Sequence, residues 1–89
     1  MKIKLELFGA SRDFSNKDHL VFEIKDMSSV NDLRNEILKY IDQNLSGNEN
    51  FIKIVKSSAF CSENNEIISD NYKITKDQKI GIIPPIGGG

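Results

Sequence analysis

A chain of 89 residues fits one domain with a modest core, which leaves little room for a deep catalytic cleft of its own. Twelve Lys and Arg against 13 Asp and Glu give a formal net charge of −1, which argues against a protein that grips nucleic-acid phosphates. The lysines are spread rather than clustered, so there is no polybasic membrane anchor, and the single cysteine, Cys61, builds neither an internal disulfide nor a Cys-rich metal site.

The N-terminal segment alternates, with Ile3, Leu5 and Leu7 on one face and Lys2, Lys4 and Glu6 on the other, as a half-buried strand requires. Those charges also interrupt the region where a signal peptide is apolar, and no apolar run approaches the roughly 20 residues of a membrane helix, so a cytoplasmic protein is expected. Residues 9–18 read as a polar loop, and His19 to Ile24 as a second strand with Leu20, Phe22 and Ile24 facing in. A helix comes next, at about Ser29 to Asn44. Ser29 and Asp32 are spaced for a capping box, Val30, Leu33, Ile37, Leu38, Ile41 and Leu45 recur at helical spacing, and Ser46-Gly47-Asn48 ends it. Met27 is read as core together with this stripe. Phe51 to Ser57 reads as a third strand, Glu63 to Glu66 as a turn, Ile67-Ile68 as a short strand, Asn71 to Ile74 as a single helical turn, and Lys79 to Ile83 as the last strand. A hairpin, a helix and then further strands, with one amphipathic helix to cover one face of a mixed sheet, is the order of the α+β β-grasp fold.

The domain spans residues 1–83, and the chain then continues as an extended tail, Pro84-Pro85-Ile86-Gly87-Gly88-Gly89. Proline has a fixed φ and no N–H, so the diproline stops a strand and stiffens the base of the tail. Glycine has no Cβ, so three glycines enter a channel too narrow for other residues. The six residues reach on the order of 20 Å when extended. Terminal glycines alone are equally compatible with a frayed end. The diproline directly after an apolar strand, and the match of the whole element order to one fold, favour a working tail with a carboxylate at its tip.

With Lys4 to Asp13, Val30 to Arg34 and Lys79 to Gly89 as the nearest stretches, the chain resembles the MoaD/ThiS family of ubiquitin-like sulfur carriers. It resembles most the MoaD side, the small subunits of molybdopterin synthase. Two departures leave a sibling pathway open: Lys76-Asp77-Gln78 stands where the family usually reads close to Asp-Gly-Asp, and the spacer before the diglycine is itself Gly87. The resemblance implies a subunit that is not an enzyme by itself but the sulfur-donating half of a two-subunit sulfurtransferase, acting in molybdenum cofactor biosynthesis. It implies that an E1-like, MoeB-like partner uses MgATP to adenylate Gly89, with Gly88 before it, and that this chain binds no cofactor. The resulting thiocarboxylate would enter a MoaE-like large subunit and donate sulfur to cyclic pyranopterin monophosphate. The alternatives are a carrier for thiamine or another sulfur metabolite, and a ubiquitin-like modifier that joins its tail to lysines.

A second set of residues concerns docking. Phe8 falls on the polar face of its strand, Ile83 is out of phase with Ile80 and Ile82, and Ile67 comes directly after a polar turn. An apolar patch beside the tail suits a partner, and these positions match apolar contact positions in the family. The resemblance also assigns Pro84, Pro85, Ile86 and Gly87 to the partner interface and makes Arg12 a rim residue. The plain alternatives are scattered exposed apolar residues at sheet ends and a solvated loop charge. Cys61 has no activating neighbour in sequence and reads as a buried or edge residue. His19 has no partner at metal-ligand spacing, and Glu63 and Glu66 are not marked as an acid–base pair.

Overall fold

The computed structural model describes residues 1–85. The alternating segment forms strand β1, Lys2–Leu7, in which Ile3, Leu5 and Leu7 are buried. It pairs antiparallel with β2, His19–Glu23, setting Ile3 opposite Phe22 and Leu5 opposite Leu20. The loop between them is more than polar filler. Gly9–Phe14 winds as a 3-10 segment and buries Ser11 and Phe14. The Ser11 hydroxyl donates to the Phe8 carbonyl at 2.6 Å, and the Phe14 ring packs 5.0 Å from that of Phe51.

Helix α1 runs Val30–Asn44 behind the expected capping box. The Asp32 N–H donates to the Ser29 hydroxyl at 3.1 Å, and the Ser29 N–H donates to the Asp32 carboxylate at 2.9 Å. The helix buries Val30, Leu33, Ile37 and Ile41 against the sheet and ends where Ser46 and Gly47 turn left-handed. Met27 is a correction to the sequence reading. It sits at φ 65° in the turn before the helix and is 57% exposed, because the left-handed turn directs it away from the core.

The strand expected over Phe51–Ser57 is instead helix α2, Glu49–Ser57. Its Ile and Val residues favour strands by composition, but Phe51, Ile52, Ile54 and Val55 recur as i, i+1, i+3, i+4, which makes one helical face. The Asn48 side chain caps it by accepting from the Phe51 N–H, and Glu49 and Lys56 complement the two ends of its dipole. The third strand, β3, is the short Ala59–Cys61 just beyond this helix. Strand β4 is Ile67–Ile68 and β5 is Gln78–Ile83. The helical turn expected at Asn71–Ile74 is also replaced. Lys73 bridges antiparallel to Ser29, the Val30 N–H donates to the Tyr72 carbonyl, and the Ile74 N–H donates to the Ser28 carbonyl, so this segment braces the start of α1.

The sheet order is β2-β1-β5-β3-β4, with β1 and β5 parallel and the other pairs antiparallel. The helices cover one face, where Ile80, Ile82 and Phe60 join the β1 residues and the α1 stripe in one core. Arg34 ties the layers together. Its guanidinium donates to the Val55 and Ser58 carbonyls at 2.6 and 2.9 Å, pairs with Asp70 at 2.6 Å, and lies 4.8 Å over the Phe60 ring.

Candidate functional site

Strand parity builds the site. Residues whose neighbours face the core point to the uncovered face of the sheet, and register aligns them across strands. One row crosses all five strands: Ile67, Cys61, Gly81, Glu6, His19. A second pairing, Ala59 with Ile83, lies one step nearer the end of β5. Phe8 comes just after the Leu7–Ile82 pair and lies over Gly81. The open face therefore gathers Phe8, Ala59, Cys61, Ile67, Gly81 and Ile83 at the end of the sheet from which the chain leaves.

Burial sorts these residues. Phe8 is 43% exposed and Ile67 67% exposed, Ile83 is half-buried, and Cys61 is buried. The patch is bounded by charge. The Lys79 ammonium sits 2.8 Å from the Glu6 carboxylate, whose hydrogen bond and charge raise the Lys79 pKa, and the Lys79 N–H donates to the Glu63 carboxylate at 3.1 Å. Glu63 thus braces the start of β5. His19 Nδ1 lies 2.9 Å from the Asp18 carboxylate, whose pKa is lowered by that bond. Arg12 is exposed in the last turn of the 3-10 segment. Among the described residues, no group of three or more His, Cys, Asp or Glu is placed to hold a metal, and no helix is long and apolar enough to cross a membrane.

The start of the tail is part of the body. Pro84 is buried and Pro85 is exposed. Both line a groove of about 400 Å³ with Ala10, Phe51 and Ile54 between the 3-10 segment and α2. The diproline ends β5 as its chemistry requires, and Pro84 still packs against the body beyond Ile83. Ile86, Gly87, Gly88 and Gly89, assigned by the resemblance to the interface and the reacting end, lie outside the described residues.

The sequence reading omitted Ala59 and Gly81 from this face and treated Cys61 as a bystander. A signal for Gly81 existed, because a glycine between Ile80 and Ile82 in an apolar strand marks a close approach. Ala59 and Cys61 carried none, since their strand is too short to alternate visibly.

No protein-family model matches the chain, and no curated protein matches it. Solved structures do. One from Pyrococcus furiosus described as molybdopterin converting factor subunit 1 superposes with TM-score 0.69 and 20% identity, over 96% of this chain and 98% of that one. SAMP1 from Haloferax volcanii gives TM-score 0.69 at 12% identity over the whole of both chains. A chain in the complex of subunits 1 and 2 of molybdopterin-converting factor from Helicobacter pylori gives 0.55 at 18% identity, again over the whole of both. With the mixed five-stranded sheet and its main helix, these neighbours establish that the chain has the ubiquitin-like β-grasp fold.

Proposed function

We propose that the chain is the sulfur-carrier subunit of a cytoplasmic molybdopterin synthase, with residues 1–83 as its platform and Gly89 as its reacting residue. The observation that carries this reading is a juxtaposition. Central strand β5 delivers Pro84-Pro85 and the glycines beyond them in sequence at the sheet end where the open face gathers Phe8, Ile67 and Ile83. The Helicobacter neighbour, taken from a complex of subunits 1 and 2, supports a large-subunit partner of MoaE type.

In this reading an E1-like partner supplies MgATP. A Gly89 carboxylate oxygen attacks the α-phosphorus, pyrophosphate leaves, and the acyl carbon becomes electrophilic. Hydrosulfide delivered by a sulfur donor attacks that carbon and displaces AMP, leaving a thiocarboxylate. The carrier then docks on the large subunit, its sulfur bonds to cyclic pyranopterin monophosphate, and water cleaves the acyl–sulfur bond to return the Gly89 carboxylate. The chain's own contributions are mechanical and steric. The sheet holds a rigid docking face, the buried Pro84 fixes where the tail departs, and the glycines leave no side chain to block a narrow channel.

The test is the intact mass of the chain purified from cells that make the activating enzyme and the sulfur donor. A product heavier by the difference between sulfur and oxygen, absent when Gly89 is deleted, supports the carrier. Chains joined to lysines by isopeptide bonds would point to the modifier reading. An unaltered chain in the presence of active partners would defeat both.

A further inference from the structure

Gly81 sits in the middle of β5, between β1 and β3. Glycine weakens a strand interior, since it has the most freedom to lose and no side chain to pack. Its backbone gives no reason for it: positive φ occurs at Gly9 and Gly47, whereas Gly81 is ordinary strand. The reason lies in the space above it. A Cβ at this position would come 2.7 Å from Phe8 Cε2, 2.8 Å from Cys61 Sγ and 3.4 Å from Phe8 Cδ2. The first two are well inside the roughly 3.5–4.0 Å of a comfortable carbon contact. The Phe8 ring thus occupies the place where a side chain at 81 would stand, with the Cys61 sulfur beside it.

We propose that Gly81 is a positioning residue: the missing side chain is a seat that holds the Phe8 ring against the sheet, oriented as an anchor for the partner. This rests on the docking role proposed for Phe8. At the end of a strand, a phenyl group with two free torsions would otherwise sample several directions. Seated, it remains 43% exposed and keeps one orientation. An anchor already ordered in the free chain loses less on association than one ordered by the partner. The backbone of Gly81 accepts alanine, and the obstructing ring is the end of a movable side chain. A methyl at 81 should therefore displace the ring and leave the strand in place.

The experiment removes the second contact first. In a Cys61→Ala background, Gly81→Ala, Phe8→Ala and the combination of both are titrated against the large molybdopterin synthase subunit and melted. Gly81→Ala should weaken binding about tenfold, close to the loss from Phe8→Ala. Added to Phe8→Ala, it should change binding less than about twofold, because no ring remains to be displaced. Its melting temperature should not fall with its affinity. Equal losses with and without Phe8, or unchanged binding in Gly81→Ala, overturn the inference. The seat is also read without any partner, from nuclear Overhauser contacts between the Phe8 ring and the Gly81 α-protons in the unaltered chain. If those contacts are missing, the seat does not exist. If they are present while the large subunit fails to bind, the seat stands and the sulfur-carrier reading falls.

Discussion

Arg34 shows how much one side chain carries when its geometry is a fork. Its side chain is only 12% exposed, and its guanidinium reaches the last turn of α2, Ser58 just before β3, and Asp70 at once. Arg34→Ala leaves the Ser58 carbonyl without that donor and the Val55 carbonyl with the longer bond from the Ser58 N–H, and an unmet buried acceptor costs about 1–3 kcal/mol. Thermal unfolding should show a drop of that order. Arg34→Lys should recover only part of it, since a single ammonium cannot reproduce two divergent donors or stack on Phe60. A lysine variant that melts with the unaltered chain would show that charge alone suffices. Cys61 makes the contrasting case. Its buried thiol lies against Gly81, and the proposed sulfur travels on the tail carboxylate, so Cys61→Ser should still form the thiocarboxylate, as read by intact mass.

At the scale of elements, α1 depends on its first turn. Ser29→Ala removes the cap and should cost about 1 kcal/mol in chemical denaturation. Asp32 makes the effect depend on pH. Hydrogen bonds from the Ser29 backbone and hydroxyl hold its carboxyl below the ordinary 3.8. Its folded pKa thus lies under its unfolded one. The stabilisation is present in full above that ordinary value and is lost as pH falls through the lower folded value. Asp32→Asn should therefore be less stable than the unaltered chain at neutral pH, and the gap should narrow in strong acid. A constant gap would assign the loss to packing. This helix was legible because cap, period and terminator agree in one stretch of chain. Strands β1 and β5 were legible from alternation, as was the parity of Phe8 and Ile83 on the uncovered face. Helix α2 was not, because the β-branched Ile52, Ile54 and Val55, with Phe51 beside them, outweighed a cap and a helical spacing only nine residues long. The burial of Phe14 was hidden for a different reason: its partner Phe51 is distant in sequence, and no local pattern announces such a contact.

For the whole molecule, the buried apolar core among the described residues runs from Ile3 to Ile82. Removing residues 86–89 should leave the melting temperature nearly unchanged while abolishing thiocarboxylate formation. Cutting before Pro84 should lower it, because that ring is buried and forms part of the wall of the groove that Phe51 also lines. A melting loss from the shorter cut would mean that the tail belongs to the folded body. The parallel pairing of β1 with β5 also determines how the chain bears load. Met1 enters at one end of that pair, and Pro85 leaves from the other. Drawing the two ends apart slides the strands lengthwise, so the pairings from Ile3–Gln78 to Leu7–Ile82 are strained together and not opened one after another. A protein held by its tail, whether in a partner's channel or by an unfolding machine, is thus gripped along the direction in which its sheet yields last.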